Sequence, residues 1–128
     1  MRIGFAYSLK DPALDHTDHH AEYETEATID AIAGVLKKKG DVIHLPCGTG
    51  IAESIARNRP DCVFNIAEGW GGRDRESFVP AICASLEIPY TGSDAVALGL
   101  TMDKALTKRV LRDAGVATPK FIVYEDLP

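Results

Sequence analysis

Asp61-Cys62-Val63-Phe64-Asn65-Ile66-Ala67, running straight into Glu68-Gly69-Trp70-Gly71-Gly72-Arg73-Asp74-Arg75-Glu76, carries the architecture of this chain. The first part is a nearly continuous apolar run. A strand of that kind suits the middle of a parallel sheet, where both faces are covered. The second part, with three glycines and five charged residues, leaves the strand at its carboxyl end. Open α/β sheets place their ligands at those ends, so the strand and its loop predict the fold and point to a site together.

Working back towards the amino terminus, Val42-Ile43-His44-Leu45 and Arg2-Ile3-Gly4-Phe5-Ala6-Tyr7-Ser8 read as two further short strands. Between them Ile29, Ile32, Ala33 and Leu36 recur at helical offsets, which predicts an amphipathic helix over Ala27–Leu36, with Gly40 as its stop. A weaker helix is expected from Ile51 to Asn58, closed by Pro60. Working forward, Phe78, Val79, Ile82, Cys83 and Leu86 trace another helix, with Ser77 as its N-cap. Ile88–Thr91 should form a fourth strand, Ala95–Leu100 a small apolar helix, Met102–Ala114 a last helix capped by Thr101, and Pro119–Tyr124 a last strand. Strands and helices alternate throughout. The expected fold class is therefore α/β, a three-layer doubly wound sandwich with a mainly parallel sheet of the Rossmann or flavodoxin-like kind.

With 128 residues, 45% of them apolar and 26% charged, the chain is long enough for one domain with a real core. A net charge of −5 and a pI near 5.3 argue against nucleic acid as a partner, since phosphate backbones select basic surfaces. No segment approaches the ~20 consecutive apolar residues of a membrane-spanning helix. The three cysteines are scattered and form neither a disulfide framework nor a Cys-x-x-Cys pair, so the reducing cytoplasm is the expected compartment.

Several groups invite chemistry. Asp15-His16-Thr17-Asp18-His19-His20 has zinc-ligand residue types, but its spacing fixes no ligand set. It reads as a solvated polar loop, and no metal is assigned. Gly48-Thr49-Gly50 lacks the third glycine of the dinucleotide fingerprint and reads equally as a turn. In the loop after the third strand, glycines permit close approach to a ligand, and a carboxylate beside arginines can hold a zwitterion. An exposed turn with Trp70 against the core edge is the competing reading. Lys104 would sit at N3 of the last helix, unfavourable to a cation unless an anion binds there, although a lysine reaching into solvent explains it too.

Taken together, several segments resemble the N-terminal, pre-ATP-grasp domain of the D-alanine–D-alanine ligases and their close relatives in the ATP-grasp superfamily. The carrying stretches are Phe64-Asn65-Ile66-Ala67-Glu68-Gly69, Gly72-Arg73-Asp74-Arg75-Glu76, Val79-Pro80-Ala81, Ile88-Pro89-Tyr90-Thr91-Gly92-Ser93-Asp94, Met102-Asp103-Lys104 with Thr107-Lys108, and Gly115-Val116-Ala117-Thr118-Pro119. The resemblance implies a first domain over 1–117 and the start of a central ATP-grasp domain over 118–128. It also implies an ATP-dependent carboxylate–amine ligation through an acyl phosphate. ATP and Mg²⁺ would be held mostly by later domains, and the piece ending at Pro128 would be silent alone.

Carried over motif by motif, the lysine that contacts nucleotide phosphates corresponds to Lys104. The first-loop glutamate that receives the first substrate's ammonium falls among Glu22, Glu24 and Glu26, with Glu22 preferred. Glu22 and Glu68 are thus expected catalytic positions, and Glu24, Arg73, Arg75, Glu76 and Ser93 substrate-binding ones. Where family members carry His-Gly-x-x-Gly-Glu, this chain has Glu68-Gly69 and then Arg73-Asp74-Arg75-Glu76, a departure that implies different amino-acid or acid substrates. Implied partners are ATP and small amino acids, with a possible homodimer.

Two other classes compete with the ligase reading. A free-standing flavodoxin-like signalling receiver fits the alternation but would need an aspartate ending the third strand and an acidic pair after the first. Asn65-Ile66-Ala67-Glu68 and Tyr7-Ser8 stand there instead. A dimerisation module would use the apolar helix Ala95–Leu100.

Overall fold

In the computed structural model, residues 1–11 and 21–124 are described. The Asp15–His20 group lies outside them. Three parallel strands, β1 (Arg2–Tyr7), β2 (Asp41–Pro46) and β3 (Cys62–Ile66), lie in the order β2-β1-β3. The registers set Phe5 beside His44 on one side and beside Phe64 on the other. Helices α1 (Glu26–Leu36), α2 (Ile51–Asn58), α3 (Phe78–Ser85), α4 (Ala95–Met102) and α5 (Lys104–Asp113) complete the described elements, with a 3-10 turn at Arg75–Ser77. The doubly wound α/β expectation describes this molecule.

Alternation along the strands builds two cores. Phe5 and Tyr7 face α1, where Ile29 and Ala33 cover them. Ala6, Leu45 and Val63 face the other way, onto Ile51 and Ile55 of α2 and Val79 and Cys83 of α3. Helices on both faces explain why β1 is apolar at nearly every position instead of alternating. Among the described residues α4 and α5 contribute no fully buried side chain. Helix α4 packs on the 3-10 turn, on α3 and on α5.

Several local expectations change. The fourth strand is a single parallel bridge, Tyr90 to Val63, made by Val63 N–H to Pro89 O and Thr91 N–H to Val63 O. Residues 119–124 are not a strand and pair with none of the described strands; they run beside α5, where Lys108 Nζ lies 5.2 Å from the centroid of the Phe121 ring. Gly40 does not stop α1. It lies where a Cβ would come within 2.1 Å of Met1 O, so its smallness serves the close approach of the chain's first residue. Ser77 precedes α3 in helical backbone and caps nothing with its side chain, which donates instead to Ala95 O at 2.8 Å.

The last correction bears on Lys104. Helix α4 continues through Met102, and Asp103, in extended backbone, ends α4 and N-caps α5 by accepting from Leu106 N–H at 2.8 Å. Aspartate caps better than threonine, and the Thr101 hydroxyl is spent within α4 on Leu98 O. Lys104 is therefore N1, and its Nζ donates to Thr101 O at 2.8 Å, the favourable place for a cation at the end of α4.

Leu45 is fully buried between the sheet and α2, whereas Val110 on α5 is 44% exposed. Leu45→Ala should therefore lower unfolding free energy by about 2–5 kcal/mol. Val110→Ala should change it by no more than about 0.5 kcal/mol, both read from urea denaturation midpoints.

Candidate functional site

With strand order β2-β1-β3, the chain leaves β1 and β3 towards opposite faces, and a crevice opens between their carboxyl ends. Ser8, just past β1, is the one polar side chain among the described residues that is buried below a tenth of its surface. Its Oγ accepts from Glu68 N–H at 3.1 Å, which ties the end of β3 to the end of β1. Its carbonyl accepts from Glu24 N–H at 2.9 Å, and Lys10 N–H donates to Glu24 O at 2.8 Å. The backbone around Glu24 is thus laid alongside Leu9 as a short parallel bridge. The acidic run before α1 is pinned to the same crevice as Glu68.

Two further bonds close the arrangement. The Tyr23 hydroxyl donates to Gly69 O at 2.7 Å, and Arg75 Nη2 donates to Glu22 Oε2 at 2.5 Å. Glu22 is 62% exposed, so this ion pair adds only about 0–1 kcal/mol of stability and acts chiefly to orient its partners. Gly69 is needed for two reasons: its φ is +71°, and a Cβ would lie 2.1 Å from Arg75 O. The loop doubles back on itself there, and that crossing brings Arg75 over Glu22.

The electrostatics are those of a crowded acidic site. Partial burial first, then the neighbouring Glu76, Glu22 and Glu24 carboxylates, raise the pKa of Glu68, with Arg75 partly opposing them. Burial likewise raises Tyr23, helped by Cys47 and Glu68 and opposed by Arg75. The Cys47 thiol is also raised by burial, against weaker stabilisation from Ser8 and the backbone at Gly69 and Gly48. A thiol shifted that way stays protonated, which makes Cys47 a packing residue at the crevice and a poor nucleophile. Four glutamates around one arginine can receive a cationic group such as an ammonium, while the arginine orients one of them.

Of the residues singled out in the sequence, Glu22, Glu24, Glu68, Arg75 and Glu76 come together here. Arg73 turns away and pairs with Asp103 at the α4–α5 joint. Ser93 is exposed in the turn before α4, and Lys104 is exposed at the start of α5. Sequence reasoning passed over Ser8 and Tyr23. A serine ending an otherwise apolar strand, and a tyrosine set between Glu22 and Glu24, were the available signals. Among the described residues no group of three or more His, Cys, Asp or Glu side chains could hold a metal ion, and no helix is long and apolar enough to cross a membrane.

No family model matches the chain. It is 39% identical over 95 residues to the D-alanine–D-alanine ligase of Moorella thermoacetica, a match covering 73% of this chain and 30% of that protein. It is 48% identical over 61 residues to an uncharacterized protein, y4sG, of Sinorhizobium fredii, covering 48% of this chain and 18% of the other. The fold matches the crystal structure of D-alanine–D-alanine ligase from Bacillus anthracis at a TM-score of 0.66, with 24% identity, over 100% of this chain and 41% of that one. The same ligase complexed with ATP matches at 0.65, with 23% identity, over 100% of this chain and 42% of that one. The chain spans less than a third of the length of the curated relatives it matches.

Two predictions follow the geometry of the crevice. Gly69→Ala, strained by its positive φ and its contact with Arg75 O, should destabilise the fold by roughly 1–3 kcal/mol in chemical denaturation. Because the Glu68 pKa is raised on folding, its ionisation disfavours the fold, so stability is lost as pH climbs through the folded value. Glu68→Gln should therefore raise the melting temperature at neutral pH. The gain should vanish below the unfolded glutamate pKa of about 4.3, where both side chains are neutral.

Proposed function

We propose that this chain, which is similar over most of its length to D-alanine–D-alanine ligases, is the substrate-binding N-terminal lobe of an ATP-dependent carboxylate–amine ligase. The observation that carries this reading is the joining of two loops at the β1/β3 crevice, with Glu22, Glu24, Glu68 and Glu76 gathered about Arg75. In this reading Glu22 takes the ammonium of the first amino acid and Glu68 reinforces it. Glu24, Arg75 and Glu76 shape the pocket, and Arg73 and Ser93 contact substrate from its rim. Residues 1–117 form this lobe, and 118–128 begin the central domain.

Lys104 serves the nucleotide. It lies one helical turn from Lys108, and the two line an open depression of about 310 Å³ together with Phe121, Ile122, Val123 and Tyr124. Two ammonium groups on one depression suit the charge of nucleotide phosphates, so the residues present fit that part of ATP. The Lys104 bond to Thr101 O is exposed and can be exchanged for a phosphate oxygen. When bound, ATP supplies a phosphoryl group that converts the first substrate's carboxylate to an acyl phosphate. Attack of the neutral amine at the carbonyl carbon then forms the C–N bond, breaks the bond from that carbon to the phosphate oxygen, and passes one amine proton to the departing phosphate. This chain positions substrate for those steps and keeps its ammonium ionised, but does not complete them alone. Mg²⁺ has no ligand set among the described residues, and none of these roles is routed through it. A soluble cytoplasmic enzyme is the setting, and Val96, 81% exposed on α4, is the natural contact if two copies pair.

In the full-length product carrying this chain, ATP and the correct carboxylate–amine pair should release ADP. Glu22→Gln should raise the KM of one amino acid about tenfold or more, and Lys104→Ala should do so for ATP. Failure of every pair in a broad panel to release ADP would overturn the reading.

A further inference from the structure

Arg75, which pairs with Glu22, also lines an open cleft of about 290 Å³ together with Trp70, Asp74, Ser77, Phe78 and Ala81. Its aromatic wall is formed by Trp70 and Phe78, whose ring centroids are 4.7 Å apart in an edge-on arrangement. They stand 38% and 40% exposed, next to one another, where neither core of the domain needs them. Small-molecule sites have this composition, an apolar lining with a few charged groups that fix orientation.

Arg75 belongs both to this cleft and to the carboxylate crevice. A guanidinium carries five N–H donors, and the contact with Glu22 engages only part of that fork. Asp74 sets the opposite charge within the same lining. At about 290 Å³ the open cleft lies near the lower end of small-molecule sites, a size that suits a benzyl side chain laid against the two rings. The methyl group of alanine would leave most of that space to water. Edge-on aromatic walls favour an aromatic guest over an aliphatic one of equal size.

We propose that the Trp70–Phe78 cleft binds the aromatic side chain of the amine-donating amino acid, whose carboxylate is held by Arg75. This rests on the ligase reading and narrows it. One substrate is an aromatic amino acid, and the departure of the Glu68–Glu76 loop from the family pattern accompanies that change.

Trp70 is the only tryptophan in the chain, so its fluorescence reports the cleft directly. D- and L-phenylalanine titrated onto the 128-residue chain should produce a saturable change with at least one enantiomer. Alanine should produce none, and phenethylamine, which lacks the carboxylate, should bind about tenfold more weakly. Phe78→Ala and the cleft-filling Ala81→Leu should each weaken phenylalanine about tenfold; both positions are exposed, and circular dichroism verifies the fold. No saturable change with either enantiomer, an equal change with alanine, or indifference to both substitutions would overturn the proposal. Release of ADP by the full-length product with other amino acids would then leave the ligase reading standing. Absence of ADP with every pair would remove that reading as well.

Discussion

Strand β1 is hydrogen-bonded along both edges, to β2 and to β3, and the geometry of the crevice depends on that double pairing. A strand flanked on both sides has fixed register, so Ser8 at its end has a fixed position. From that position one buried hydroxyl and one carbonyl reach both loops that matter, taking Glu68 N–H and Glu24 N–H. The loops would otherwise be free to drift apart, since the chain enters them from strands that lead to opposite faces. Buried polar groups must be satisfied, and here the satisfaction of a single serine and its backbone assembles the crevice.

Much of this was legible in the residues. The continuous apolar run of β3 marked the sheet centre, and the spacing of Ile29, Ile32, Ala33 and Leu36 marked the helix beside it. The convergence of Glu22, Glu24 and Glu68 followed from placing their loops at strand ends. What the residues left open was decided by competition between neighbours. Thr101 and Asp103 are both cap formers, and the stronger acceptor displaced the weaker, which moved Lys104 from N3 to N1 and turned an unfavourable site into a favourable one. The stretch from Pro119 has the composition of a strand, but pairing needs an available edge, and edges are a property of the whole fold. The ion pairs were also beyond reach. Arg73 and Arg75 are alike in sequence and sit on opposite sides of a glycine crossing that only the backbone reveals.

Relationship to the ligases and departure from them coexist in one loop. The scaffold residues, from Phe64 to Gly69 and from Ile88 to Asp94, follow the family and maintain the sheet and its turn. Between them the Glu68–Glu76 loop departs from the family motif, with Glu68 where a histidine is expected, and Trp70 packs edge-on against Phe78. Such a distribution has a physical reason, because strands and caps carry the fold while loop tips are free to change.

The contact between Arg73 and Asp103 has an implication of its own. Asp103 is the joint on which α4 ends and α5 begins, and the same carboxylate that holds the first turn of α5 also receives the guanidinium from the glycine-rich loop. Loop placement and helix start are thereby thermodynamically linked: whatever fixes one biases the other, and by reciprocity the energy of that bias is equal in both directions. The order of the glycine-rich loop and the fraying of the first turn of α5 are in this way two readings of one contact.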